Sequence, residues 1–400
     1  MQPRTIARLV PLAALLLALA GCGSDEPASP SGGGAQGFTP PNVPMLQSLG
    51  AGEGSVNLVA WAGYVEDGST DPKVDWVTPF EKATGCQVNV KVAASSDEMV
   101  QLMKSGQYDA VSASGDASLR LIAGGDVAPV NTNLVKNYGD VFEGLKQKPW
   151  NSVKGVAYGI PHGRGANLLM WRTDKVKPAP DSWAVVFDPN SPYKGKVTAY
   201  DSPIYIADAA VYLKATKPEL GITNPYELDD KQFQASVDLL KQQATVVGEY
   251  WSDYTKEIQA FKSGSSVVGT TWQIIANLAK ADKAPVEVTL PKEGATGWSD
   301  TWMVSAKAAH PNCAYMWMDH IVSPKANAAV AEWFGEAPSN ELACGETADK
   351  GHCTTFHATD EDYFSKVAYW TTPIKDCGDD RGQVCKDYSE WTTAWTEIKG

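Results

Sequence analysis

The chain has 400 residues, a formal net charge of −13 and 43% hydrophobic residues. That length exceeds one small core and suits two lobes or one large domain. So acidic a balance argues against a nucleic-acid or anionic-lipid partner, and it fits either cationic ligands or solubility alone.

The first segment carries Arg4 and Arg8, then a short apolar run, Leu9–Ala20, ending in Leu19-Ala20-Gly21-Cys22. A charged start, an apolar stretch of about a dozen residues and small residues before a cut describe an export signal. A spanning helix would need roughly 20 apolar residues. The tetrad resembles the lipobox of bacterial lipoproteins, which implies that residues 1–21 are removed and that Cys22 is lipidated. An uncleaved anchor with an ordinary thiol at Cys22 is the other reading. Residues 22–54 are expected as lipidated cysteine and flexible tether, since Gly23–Pro44 is rich in Gly, Ser, Ala and Pro.

Val56–Trp61 reads as a strand, Asp75–Thr84 as a helix with Trp76, Phe80 and Ala83 on one face, and Cys86–Val92 as an alternating strand. Ser96–Lys104 reads as a helix and Tyr108–Val111 as a buried strand, the pattern of a doubly wound α/β sheet. Gly155–Pro161 and Leu168–Trp171 read as strands around a turn, Gly163-Arg164-Gly165. Helices are expected over Ala207–Lys214, Asp230–Thr245, Gln273–Asp282, Asn312–Ile321 and Pro324–Phe334. Strands are expected over Lys196–Tyr200, Val267–Trp272, Val286–Leu290 and Trp302–Ala306. The last sixty or so residues look like a cross-linked cap with a terminal helix.

Six cysteines remain after Cys22, an even number that favours disulfides in an exported chain. Local spacing suggests Cys344–Cys353 and Cys377–Cys385, leaving Cys86 and Cys313 for a long-range bridge, although other pairings stay open. A metal site from His352, Cys353 and His357 is set against the disulfide loop, and no metal is expected. Neither Gly-x-Ser-x-Gly nor His-Glu-x-x-His occurs. Gly264–Thr271 imitates a phosphate loop without the Lys that should follow its second Gly. No acid–base pair assembles by spacing, so neither an enzyme nor a cofactor is expected.

Aromatic residues do stand beside acids at the C-terminal ends of the expected strands, where open α/β sheets bind ligands. Trp61 and Tyr64 follow the first strand, Asp201 follows Lys196–Tyr200, Trp272 follows Val267–Thr271, and Trp298 and Asp300 precede Trp302. Aromatic faces attract ammonium groups and carboxylates add charge-assisted hydrogen bonds, which is the chemistry of an amine-binding cleft. Core packing is the alternative for any single Trp.

Phe80-Glu81-Lys82-Ala83-Thr84-Gly85, Tyr108-Asp109-Ala110-Val111, Pro291-Lys292-Glu293-Gly294 with Trp298-Ser299-Asp300, and Gly335-Glu336-Ala337-Pro338-Ser339-Asn340 resemble segments of the spermidine/putrescine-binding proteins of bacterial ABC importers. The resemblance covers about residues 55–345 and fades in the tail. It implies a two-lobed α/β periplasmic-binding-protein fold, each lobe a mixed sheet flanked by helices. Residues 55–162 and 301–345 would form lobe I, and 163–300 with 346–400 lobe II. It further implies a monomer outside the cytoplasmic membrane, at the cell surface or in the periplasm, held by lipid on Cys22. That monomer would pass a small cationic solute to an ABC permease. Trp61, Tyr64, Trp272 and Trp298 would be aromatic walls, and Asp300 and Asp201 the ammonium acceptors.

Three positions depart from the family pattern. Asp116 stands where an aromatic is usual, Ile204 where a second acid is expected, and Arg164 where an aromatic is usual. An Arg164 facing the cleft would favour an amine that also carries a carboxylate, such as an ω-amino acid. Its alternative is a salt bridge to a nearby acid. More distant readings are a cell-envelope glycan-binding protein, or a hydrolase pairing Asp116, Asp201 or Asp300.

Overall fold

A computed structural model describes residues 38–400. Cys22, the signal-like segment and the first part of the expected tether lie outside the described residues. Residues 38–54 do not behave as a tether. They run along lobe I, where Phe38, Val43 and Leu46 pack against its apolar clusters. Glu53 accepts the backbone amides of Asn312 and Cys313 at the start of a helix. A few apolar residues and one carboxylate dock the segment despite its loop-like composition.

The lobe I sheet runs in the order Gln87–Val92, Ser55–Ala60, Ala110–Ala113, Thr301–Val304, Ile160–Pro161. The first three strands are parallel and Thr301–Val304 is antiparallel to Ala110–Ala113. Its central strands are apolar on both faces because helices cover both. Helix Val77–Thr84 buries Val77 and Phe80 and stops at Gly85, whose φ of 75° suits a left-handed cap. Helix Ser96–Lys104 buries Met99, Val100 and Met103, and Ser95 caps it by accepting the Glu98 amide.

Lobe II repeats the plan. Val247–Trp251, Val197–Tyr200 and Val268–Thr271 lie parallel, followed by Leu168–Arg172 and Val286–Thr289 in antiparallel pairings. The strand Val247–Trp251 was not expected, and its register shift between Val247 and Glu249 masks the alternation that would announce it. Helix Asp230–Ala244 opens on a capping box between Asp229 and Gln232.

Between the lobes lies a four-stranded sheet, Ala337–Pro338, Gly163–Ala166, Ala295–Trp298, Val367–Tyr369. Gly163-Arg164-Gly165, expected as a turn, is therefore strand. It and Ala295–Trp298 are two of the places where the chain crosses between lobes. They meet tightly: Gly165 pairs with Trp298, and a Cβ on Gly165 would lie 2.5 Å from Trp298 Cζ2. The His162 amide bonds the Asp300 carbonyl at 2.8 Å, tying the same two crossings one step into lobe I.

The tail, expected with lobe II, bonds to both lobes. Thr372 donates its hydroxyl to the carbonyls of Gly115 and Asp116, and a Cβ on Gly115 would lie 1.8 Å from the Trp370 carbonyl oxygen. The chain then returns to lobe II, where helix Tyr388–Lys399 buries Trp391, Trp395 and Ile398. Disulfides join Cys86 to Cys313, Cys344 to Cys353 and Cys377 to Cys385, the pairs that spacing suggested. Among the described residues no helix is long and apolar enough to cross a membrane, and no acid, His or Cys cluster could hold a metal ion.

Candidate functional site

Tyr64 sits in the turn after the first strand, its amide bonded to the Trp61 carbonyl. Its ring is fully buried, with centroids 4.0 Å from His162 and 4.5 Å from Phe334. Its hydroxyl donates to Asp300 Oδ2 at 2.8 Å and lies 3.3 Å from Glu336 Oε2. Asp300 occupies the short link between the crossing strand and the lobe I strand Thr301–Val304, and its Oδ1 accepts the Ser114 hydroxyl at 2.6 Å. Glu336 follows Gly335, which ends helix Pro324–Phe334, and it is fully buried.

Among the described residues no cation balances these two carboxylates. The basic side chain beside them is His162, whose Nε2 is 3.5 Å from Glu336 Oε1. Its Nδ1 accepts the Trp302 indole N–H at 3.0 Å, and burial lowers its pKa to about 3. The imidazole is therefore neutral, with its proton on Nε2 toward Glu336. Burial pushes Asp300 up to about 6 despite the Ser114 and Tyr64 donors, and nearby Asp116 adds to the rise. Burial and the Asp300 charge push Glu336 well above the carboxylate range. An uncompensated buried carboxylate is unfavourable by several kcal/mol, so burial favours the protonated form at Asp300 and still more at Glu336.

An aromatic ribbon leads away from the acids. Phe334 packs at 90° on Trp298, Trp298 lies 6.2 Å from Trp272, and Trp272 lies 5.7 Å from Tyr200. Tyr200 stacks on Trp370 of the tail with ring planes 15° apart. Trp272 donates its indole N–H to Asn167 Oδ1 at 2.8 Å. The indole N–H groups of Trp61, Trp298 and Trp370 are buried without an acceptor among the described residues. Trp61 itself is half-buried and packs between the two apolar clusters of lobe I.

The remaining expected site residues are engaged elsewhere to differing degrees. Asp116 accepts Ser96 Oγ at 2.9 Å and lies 3.4 Å from the Tyr388 hydroxyl, and burial raises its pKa. Arg164 is fully buried, donates to the Ala358 carbonyl and to Glu361 Oε1 at 2.6 Å, and stacks 3.8 Å above the Phe364 ring. Its guanidinium is thus held in an ion pair with Glu361, the alternative set beside a ligand role. Asp201 accepts Lys399 Nζ at 2.7 Å on both oxygens and the Trp395 indole N–H at 3.2 Å, so it is not a free acceptor. Ile204 is buried in the lobe II core.

Glu336, Ser114, His162, Phe334, Tyr200 and Trp370 were not foreseen. Glu336 alone had a local signal, an acid directly after a helix-ending glycine and before Ala-Pro.

Residues 75–347 match the model of the bacterial extracellular solute-binding protein family. The chain is 26% identical over 299 residues to spermidine/putrescine-binding periplasmic protein 1 of Haemophilus influenzae, covering 74% of this chain and 78% of that one. It is 24% identical over 308 residues to the putrescine/cadaverine-binding protein of Pseudomonas aeruginosa, covering 72% and 79%. The spermidine/putrescine ABC transporter substrate-binding protein PotD of Streptococcus pneumoniae superposes with a TM-score of 0.67 at 16% identity, over 86% of this chain and 97% of that one. With two like-built lobes around a hinge sheet and a matched family model over most of its length, the chain belongs to the bacterial extracellular solute-binding proteins, and is a binding protein, not an enzyme.

Proposed function

We propose that this protein captures a small amine between its lobes and hands it to an ABC permease, as a monomer held outside the cytoplasmic membrane by lipid on Cys22. The observation that carries the reading is the buried acid pair Asp300 and Glu336, bridged by Tyr64 and without a cation among the described residues. An ammonium group would take the place of the protons there and form charge-assisted hydrogen bonds. The aromatic ribbon beside it offers faces for an aliphatic body. Its relatives named for spermidine, putrescine and cadaverine binding support the same chemistry.

The lobes have to part for entry. Tyr64, Asp300 and Glu336 are all buried, which leaves a solute no open way to the acid pair. A ligand touching both lobes would then favour the closed arrangement, which a permease can read. Thermal unfolding against polyamines, ω-amino acids, betaines and sugars tests this. A ligand at 100 times its dissociation constant stabilises by about 2.7 kcal/mol. Stabilisation by amines supports the reading, and stabilisation by sugars alone refutes it.

A further inference from the structure

The hinge strand Gly163–Ala166 carries two glycines with a long side chain between them. Neither glycine has a positive φ, so the backbone there would accept any residue. Glycine weakens a strand interior, and where conformation does not require it, it marks a close approach by another group. Side chains alternate along a strand. Arg164 points to one side, stacked on Phe364 and bonded to Glu361. The bare Cα atoms of Gly163 and Gly165 face the other side, toward Glu336 and Trp298. A Cβ on Gly163 would lie 2.3 Å from Glu336 Cδ and 2.4 Å from each of its carboxylate oxygens.

The backbone of Glu336 has little freedom to give way. Its amide bonds the Ala331 carbonyl at 3.1 Å, and its own carbonyl lies 2.8 Å from His352 Nε2. The next two residues, Ala337 and Pro338, pair with Arg164 and Gly163. The side chain is fully buried, with the Tyr64 hydroxyl 3.3 Å from Oε2 and His162 Nε2 3.5 Å from Oε1. A methyl group on Gly163 would therefore displace the carboxylate and not the chain that carries it.

We propose that Gly163 is a positioning residue of the amine site: its missing side chain lets the Glu336 carboxylate lie against the hinge strand, within reach of Tyr64, as a second acceptor beside Asp300. This rests on the amine-binding reading above and deepens it. With any side chain on Gly163, Asp300 is left as the sole acceptor of the pair.

Calorimetric titration with 4-amino-1-butanol tests the proposal on the wild type, Gly163→Ala, Glu336→Ala and the double variant. Gly163→Ala is expected to weaken binding about tenfold, the loss of one charge-assisted hydrogen bond. In the Glu336→Ala background the same change is expected to cost less than about twofold, because the group it would displace is gone. Wild-type affinity in a folded Gly163→Ala, or an equal loss in both backgrounds, overturns the proposal while leaving amine capture standing. Thermal unfolding keeps the test intact if Gly163→Ala alone fails to fold. The double variant is then expected to unfold at the temperature of Glu336→Ala, and its failure to fold overturns the proposal. If the folded wild type does not bind the compound, amine capture itself falls and the proposal with it.

Discussion

Tyr64 donates its phenolic proton to Asp300 across 2.8 Å, joining the turn after the first strand of lobe I to the point where the chain comes back from lobe II. The bond aims the second oxygen of the same carboxylate at Ser114, at the start of helix Gly115–Gly124. It also brings the phenol within 3.3 Å of Glu336. Hinge and acid pair are therefore one construction, and anything that moves the crossing strand moves the carboxylate.

Removing charge from the pair separates binding from stability. Asp300→Asn is expected to weaken amine binding by about 1.5–3 kcal/mol. It is also expected to leave the unfolding temperature of the free protein unchanged or raised, because it deletes an uncompensated buried acid. Calorimetry and thermal unfolding on the same preparation check both halves.

Tyr64→Phe removes the bridging hydroxyl and keeps the ring against His162 and Phe334. Binding is expected to fall by about 1–2 kcal/mol, with Glu336→Gln giving a further, non-additive loss because the two residues share a partner. A double-mutant cycle measures the coupling.

Affinity is expected to depend on pH through Asp300, which titrates at about 6 in the free protein. An ammonium ligand favours the ionised carboxylate, so binding lowers that pKa and releases a proton below it. Affinity is therefore full above the free-state pKa and falls by about tenfold per pH unit below it for one linked proton. Titrations at pH 5 in buffers of different ionisation enthalpy should report proton release, and uptake would contradict the account.

Much of the fold was legible and much of the site was not, for one physical reason. Helices such as Asp230–Ala244 announce themselves by a capping box confined to Asp229–Gln232, and Gly85 marks a stop by its own conformational freedom. The roles of Arg164 and Asp201 are decided by Glu361 and Lys399, which lie 197 and 198 positions away in sequence. Neither distance nor partner is written in local spacing. Residues 38–54 failed as a tether for the opposite reason: their composition is that of a loop, but Val43, Leu46 and Glu53 each find a partner on lobe I. Glu336 lay inside a quoted motif, and only the approach of Tyr64 makes it part of the site.

The tail's hold on lobe I rests on a missing side chain. Gly115→Ala would place a methyl group 1.8 Å from the Trp370 carbonyl oxygen, and backbone cannot yield as a flexible side chain does. The variant is expected to lose about 1–3 kcal/mol of stability and to expose the segment around Thr372 to protease. Limited proteolysis with mass mapping reads the second effect.

Loop length ranks the disulfides. Cys86–Cys313 spans 227 residues and Cys344–Cys353 only 9. Chain entropy gives about 5 kcal/mol for the first and about 2.5 kcal/mol for the second. Paired Ser substitutions should lower the denaturant midpoint in that order.

The most direct measurement is a crystal structure with 4-amino-1-butanol bound. The account predicts the ligand nitrogen about 2.7–2.9 Å from a carboxylate oxygen of Asp300 or Glu336. A ligand nitrogen away from the acid pair would contradict it.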